Sequence, residues 1–328
     1  MSGDDASTKR AQGKAVEFLL GARSLAGGFG WNDFNAFGVE SDEWVTAYAA
    51  HSLAETGDRN AREAARQAWI WLVEQSRQHR PGLGYNTQTP QDADSTVWGY
   101  RLAIAIGQSS DECATRFLRF LLTCVQPGGG VATFPADGLS VLYKYIGNGA
   151  DAIGGWTTSH ACVTAAAAWL PDLVKSADLY GFLVRAQDSR GFWNGYWWAD
   201  AEYATSHALE SLARGGTGRE SLDLGASWLA GSLGRRSPFG LALRAFGIAK
   251  AGHDNFEPAL QELLTQQLAD GSWRASARLR IPPPNLKDPR IQWNWDEENP
   301  GIGSLLLDQQ RIFTTATALR ALSACLQR

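Results

Sequence analysis

Gln187-Asp188-Ser189-Arg190-Gly191-Phe192-Trp193 has a second copy in Gln267-Leu268-Ala269-Asp270-Gly271-Ser272-Trp273, with glutamine, glycine and tryptophan in register. Each copy closes a helix-forming run. Each is followed by another helix, opening at Tyr203-Ala204-Thr205-Ser206-His207 and at Phe313-Thr314-Thr315-Ala316. Self-similarity of this kind marks a repeat architecture, in which neighbouring helix pairs bury their apolar faces on one another.

Working outward from these copies, six helix pairs can be drawn. The pair with the first copy has an outer run from Leu173 to Gln187 and an inner run from Tyr203. The pair with the second has Pro258 to Leu268 outside and Phe313 to the C-terminus inside. An abbreviated pair between them spans Leu222 to Leu233 and Pro238 to Ala251. Upstream come Lys9 to Arg23 with an inner run from Ser41 to before Gly57, Asn60 to Gln78 with Asp94 to Ile106, and Glu112 to Val125 with the segment Gly155 to Thr164. Glycine-rich turns at Gly27-Gly28-Phe29-Gly30-Trp31, Pro81-Gly82-Leu83-Gly84 and Gln126-Pro127-Gly128-Gly129-Gly130 divide the first three.

The inner runs are rich in alanine and nearly free of lysine, whereas the outer ones carry charges such as Arg59, Arg62, Glu63 and Arg66. That division is expected when one ring of helices encloses another. The chain therefore reads as all-α, an (α/α)6 barrel of alternating inner and outer helices forming a single domain over residues 1–328. Inner helices open on Ser, Thr or Asp, good capping residues, and their starts are expected to share one rim. The loop at 274–310 holds Arg278, Arg280, Pro282-Pro283-Pro284, Trp293, Trp295 and Asp296-Glu297-Glu298, and its length suggests a lid over that rim.

Composition narrows the function. With 34 acidic and 30 basic residues the net charge is -4, and the basic residues are scattered, which argues against a nucleic-acid partner. Met1 to Arg23 has no apolar signal core and no run is long enough to span a bilayer, so the protein reads as cytoplasmic without a transmembrane segment. Cys113, Cys124, Cys162 and Cys325 have no paired spacing and read as small buried thiols. The 14 tryptophans against a single methionine imply aromatic packing, a ring-lined cavity, or both. Trp44, Trp98, Trp156, Trp197, Tyr203 and Phe313 lie at or just before inner-helix starts, where they would line such a cavity. Trp69, Trp71 and Trp228 lie on outer helices and read as core.

Pro90-Gln91-Asp92-Ala93-Asp94-Ser95-Thr96 places two carboxylates at one of these starts. On residue type alone Asp94 reads as a cap, like Asp42 and Thr205 in equivalent places. A protein acid is the other reading, since burial and a second carboxylate nearby raise a carboxyl's pKa while a helix N-terminus lowers it. His160 and His207 both follow Thr-Ser at inner-helix starts, and read as polar groups lining the cavity or bracing Asp94.

The two quoted turns match the Q-x(2-5)-G-x-W repeat of the squalene-hopene and oxidosqualene cyclases. Gly191-Phe192-Trp193-Asn194-Gly195-Tyr196-Trp197 with Tyr203-Ala204-Thr205 resembles that family's G-S-W-x-G-R-W and Y-G-T segment, and Trp44-Val45-Thr46 its W-D-T. Pro90 to Thr96 resembles the segment carrying the D-x-D-D acid motif, with Asp92 at the first aspartate, Asp94 at the middle one and Ser95 in place of the last. The resemblance implies a class II terpenoid cyclase, an isomerase or lyase in which Asp94 is the general acid and the rings stabilise carbocations. It also implies Trp193 and Trp273 as structural and places the family's acid-bracing histidine at Ala166. A single barrel suits a farnesyl or geranylgeranyl chain, free, diphosphorylated or joined to an aromatic ring, and so terpenoid or meroterpenoid biosynthesis. No cofactor is implied, with Mg2+ entering only for a diphosphate substrate.

Other occupants of such a barrel stay in view. A protein prenyltransferase would need zinc, for which Asp111 and Cys113 have a suggestive spacing. An (α/α)6 glycosidase would pair Asp42 or Glu43 with Asp94. A non-catalytic toroid binding an isoprenoid or a protein is the third. The partner implied by most of these is a small isoprenoid molecule; oligomeric state is left open.

Overall fold

A computed structural model describes residues 3–24, 29–76, 80–135, 153–231 and 236–328. Gly27, Gly28, Gln78 and Leu233, used above to draw helix pairs, lie outside them. Thirteen helices occur among the described residues: α1 (Gly3–Gly21), α2 (Glu43–Ala54), α3 (Arg59–Ser76), α4 (Ala93–Ile106), α5 (Glu112–Cys124), α6 (Ala161–Ala167), α7 (Pro171–Val174), α8 (Leu179–Ala186), α9 (Glu202–Gly215), α10 (Arg219–Gly231), α11 (Pro238–Lys250), α12 (Glu257–Thr265) and α13 (Ile312–Cys325).

The apolar pattern of each helix decides its ring. In α5, Ala114, Phe117, Leu121 and Cys124 recur at helical spacing and are buried, while Arg116 and Arg119 stay on the other side; Asp111 caps its start by accepting from the Cys113 amide at 2.7 Å. In α2 every residue from Glu43 to Leu53 is buried, as an enclosed helix requires. Accordingly α2 packs on α4, α4 on α6, α6 on α9, α9 on α11, α11 on α13, and α13 returns to α2. Helices α1, α3, α5, α8, α10 and α12 pack outside that closed inner ring. This is the expected (α/α)6 barrel.

The glutamine-glycine-tryptophan turns tie the rings together. Trp193 Nε1 donates to the Leu183 carbonyl of the preceding outer helix at 2.7 Å, and its amide to Thr205 Oγ1 of the following inner helix at 3.0 Å. Trp273 repeats this with Leu263 and Thr315, and Trp31 with Leu19 and Thr46. Gln187 Nε2 donates to Gly191 O and to Ser221 O of the next outer helix, while Gln267 reaches Gly271 O and Ala11 O of α1, so the last repeat is fastened to the first. Gly191 (φ 104°) and Gly271 (φ 88°) are left-handed, and a Cβ on either would press into the Leu224 or Lys14 carbonyl oxygen.

Three local expectations need correction. The third inner helix begins at Ala161 rather than near Gly155. The fourth outer run is not continuous from Leu173: Pro171 opens the short α7, and Asp178, accepting from the Gly181 amide, caps a separate α8 at Leu179. Two antiparallel ribbons also appear, β1 (Asp33–Ala36) with β2 (Val39–Ser41) and β3 (Arg278–Arg280) with β4 (Leu305–Leu307). The second ribbon organises the 274–310 segment. That segment bonds to the barrel through Trp156 Nε1 to Pro282 O (3.0 Å), the Gly155 amide to Pro284 O (2.8 Å), Tyr196 OH to Leu286 O (2.8 Å) and the Ala199 amide to Arg278 O (3.0 Å).

Candidate active site

Asp92 and Asp94 divide the labour at the start of α4. Asp92 is the cap: its carboxylate accepts from the Ser95 amide at 2.7 Å and the Ser95 hydroxyl at 2.8 Å. Asp94 lies inside the first turn, is 8% exposed, and its Oδ1 is buried without a hydrogen-bond partner. The cap reading of Asp94 is therefore replaced by one of Asp92, because the extended backbone at residue 92 aims its oxygens at the free amides. Burial raises Asp92 to about 6 against its Ser95 hydrogen bonds. Burial, with the Asp92 charge adding to it, pushes Asp94 well above the ordinary carboxyl range. The Asp94 charge in turn helps raise the Cys162 thiol and the Tyr203 phenol, after burial, which places all three in one electrostatic neighbourhood.

Below this carboxyl the inner helices present side chains in layers, because residues three to four apart stack along a helix face. Trp44, Phe313 and Tyr203 occupy the rim layer as expected, all buried. Trp98, one turn below Asp94, donates its indole N–H to Tyr203 OH at 3.2 Å. Sequence reasoning missed the ring at the centre. Trp198, 1% exposed, lies 4.4 Å from Tyr203, 5.1 Å from Phe239, 5.2 Å from Phe313 and 5.9 Å from Trp44 between centroids, and its indole N–H has no partner. Tyr48 stacks on Phe313 at 4.0 Å, and Phe34 joins the same group. Trp198 comes from an irregular segment with no periodicity to announce it.

The layer beneath is ionic. Arg101 donates to Glu210 at 2.7 Å, Arg320 to Glu210 at 2.9 Å and to Glu55 at 3.0 Å, with His51 and His207 buried beside them. Arg101 and Arg320 also lie 4.5 Å and 5.0 Å from the Trp98 ring. Burial raises Glu210, but the two guanidinium groups outweigh it and hold the carboxylate well below its usual range. The signal was present: Arg101, Glu210 and Arg320 are charges inside alanine-containing inner helices, each two turns beyond Asp94, Tyr203 and Phe313.

Trp156, His160 and Trp197 form a second group beneath Pro282 to Leu286. Trp156 stacks on Phe134 and lies 5.5 Å from Trp197. His160 neither caps α6 nor braces Asp94. Its Nε2–H donates to Gly155 O at 2.8 Å, its Nδ1 accepts from Thr133 at 2.9 Å, and Thr133 accepts from Trp197 Nε1 at 2.7 Å. Burial lowers this ring to about 3, so it is neutral. The two groups meet at Thr133, whose carbonyl takes the Ala93 amide at 2.8 Å. His207 does not reach Asp94 either; its polar contact is Glu210. At the position of the family's bracing histidine stands buried Ala166, and no side chain of the described residues hydrogen-bonds Asp94 Oδ1.

Asp111 and Cys113 are absorbed locally, one as the α5 cap and the other against Ser76. Asp296 folds its carboxylate onto the amides of Glu298 and Asn299. Among the described residues no group of three or more His, Cys, Asp or Glu is placed to hold a metal ion, and no helix is long and apolar enough to cross a membrane. An open hollow of about 490 Å³ on the outside, lined by residues including Val125, Gly129 and Asp178, shares no residue with this site.

Fold and interior together define an α-barrel protein built around aromatic side chains with a buried, unpartnered carboxyl at its rim. No family model and no curated protein matches the chain. Among solved structures it resembles type II terpene cyclase MstE from Scytonema in an aspartate-to-asparagine variant with geranylgeranyl dihydroxybenzoate as substrate (32% identity, 100% of this chain and 99% of that one, TM-score 0.88). An aspartate-to-alanine variant of MstE with merosterolic acid A as product gives 32% identity over the same shares at TM-score 0.89. A protein from Actinoplanes matches at 32% identity, 97% and 99% coverage and TM-score 0.88. An α-1,6-mannanase of Salegentibacter, at 12% identity and TM-score 0.61 over 98% and 99% of the two chains, shares the fold alone. The chain belongs to the type II terpene cyclases. This membership decides for the cyclase over the glycosidase, prenyltransferase and non-catalytic readings.

Proposed function

We propose that the protein cyclises a linear isoprenoid joined to an aromatic acid, of the geranylgeranyl dihydroxybenzoate kind, by protonating its terminal double bond from Asp94. The observation that carries this is the Asp94 carboxyl: buried, unpartnered at Oδ1, and pushed well above the ordinary carboxyl range beside a cap that takes the helix amide in its stead. The Asp94 O–H bond breaks, a C–H bond forms at the less substituted alkene carbon, and the tertiary cation left behind is held against aromatic faces. Each face contributes roughly 0.5–2 kcal/mol, so several are required. Trp44, Trp98, Trp198, Tyr203, Phe313 and Tyr48 supply them; burial sets the acid strength of Asp94, with the Asp92 charge adding to it. Trp156, His160 and Trp197 sit under the 274–310 segment, which serves as the cover of a single barrel formed by residues 1–328. Protonation needs no cofactor, Mg2+ entering only for a diphosphate head group, and the expected location is the cytoplasm.

Purified protein incubated with geranylgeranyl dihydroxybenzoate and free linear isoprenoids, with and without EDTA, tests this by mass spectrometry. Products of unchanged mass that survive EDTA and fall by at least about 10³-fold in Asp94→Asn are expected. Equal activity in the variant would place the acid elsewhere, and loss of activity with EDTA would contradict a metal-free start.

A further inference from the structure

Every cyclisation begun by adding a proton must also end, either by losing one or by capturing water. Asp94 stands at the rim, and the cation moves along the chain away from it. His207 stands one turn deeper than Tyr203, with the Tyr203, Trp98 and Phe246 ring centroids at 4.5 Å, 5.2 Å and 5.8 Å. Its Nδ1 is 3.3 Å from Glu210 Oε2; a carboxylate only accepts, so Nδ1 carries the hydrogen and Nε2 the lone pair. That Nε2 is buried and has no partner. An unpaired buried nitrogen costs stability and calls for an explanation.

Resting on the function proposed above, we propose that His207 is the general base that ends the cascade, with Glu210 as its positioning residue. The C–H bond next to the final cation breaks, its electron pair closes a new C=C bond, and the proton goes to Nε2. The imidazolium is then stabilised across Nδ1–H by Glu210. Arg101 and Arg320 hold Glu210 in place and ionised, so the dyad cannot collapse by moving a proton onto the carboxylate. Burial lowers the free imidazole to about 4, which keeps the lone pair available at neutral pH. Each turnover thus takes in a proton at the rim and gives one up at the floor.

The other buried histidines lack this arrangement. His160 has both nitrogens engaged. His51 flanks Trp98 at 5.4 Å, but its Nδ1 is 3.7 Å from Glu55 and no hydrogen bond sets its tautomer.

The test follows products of geranylgeranyl dihydroxybenzoate with wild type, His207→Phe, His207→Gln and His51→Phe, alongside melting curves. The glutamine variant keeps a donor toward Glu210 but accepts no proton, and stands in should the phenylalanine variant not fold. The wild-type product is expected to fall by about 10²-fold in both His207 variants, with water adducts and alkenes of shifted double bond taking its share. A structural role alone would reduce all products together. The same product with the same double bond in a folded His207 variant would overturn the inference while leaving protonation by Asp94 standing, and so would a product shift confined to His51→Phe. A wild type inert toward this substrate would instead overturn the function on which the inference rests.

Discussion

Asp92 and Asp94 stand two positions apart, and the helix start between them gives them opposite chemistry. Asp92 meets backbone amides and is raised only to about 6; Asp94 meets none of them and is raised well above the ordinary carboxyl range. Two outcomes belong to this scale. A carboxyl whose folded pKa is raised binds more protons folded than unfolded, so it favours folding at low pH and opposes it as pH rises past the unfolded value. Asp94→Asn is therefore expected to raise the melting temperature at pH 7 by about 2–4 °C while abolishing cyclisation, since an acid kept dry for catalysis costs stability; a lower melting point would contradict the assignment. Asp92→Asn keeps a capping oxygen but removes the like charge that helps raise Asp94. The alkaline limb of the activity profile is then expected to move to lower pH, and an unchanged limb would show that burial alone sets the acid.

At the scale of elements, most of the helix pairs were readable because each outer helix shows an apolar stripe and each inner one an alanine-rich body. The failures have local causes. Pro171 and Asp178 restart a helix inside what reads as one run, and the strands of the two ribbons are too short to show alternation. Of the site, the rim with Trp98 and His207 was legible from helix starts and family likeness, but the ionic layer at Arg101, Glu210 and Arg320 requires following each inner helix inward by two turns. Trp198 was not legible at all, because its burial follows from long-range packing among Tyr203, Phe239 and Phe313. The repeat turn has its own test. Gly191→Ala places a Cβ against the Leu224 carbonyl at a left-handed backbone, and is expected to cost about 1–3 kcal/mol. A melting curve that matches wild type would show that the turn yields freely.

Across the whole molecule, buried titratable groups pull stability in opposite directions. Burial lowers His51, His160 and His207 to about 3, 3 and 4, so the unfolded chain binds more protons and stability drops as pH falls below about 6.5. Burial raises Asp33 and Asp92 to about 6, and Glu43 and Asp308 to about 7, with Asp94 above its ordinary range, so these favour folding at lower pH. Between pH 4 and 6.5 the two sets oppose one another. Above about 6.5 the histidines no longer contribute, and the melting temperature is expected to go on declining until Glu43 and Asp308 ionise near 7; a flat melting temperature between pH 6 and 7 would mean these carboxyls ionise freely when folded. The ion network of Arg101, Glu210, Arg320 and Glu55 closes the same interior from below. Removing one member strands the others, and Arg320→Ala is expected to lower stability by about 3–5 kcal/mol in denaturant unfolding.

Turnover of geranylgeranyl dihydroxybenzoate in D2O tests protonation by Asp94 most directly. The product formed by the wild type is expected to carry one deuterium on the carbon that began as the less substituted carbon of the terminal alkene, and Asp94→Asn is expected to form no such product. Cyclised product without that deuterium, or labelled product from the variant at the wild-type rate, would contradict the account.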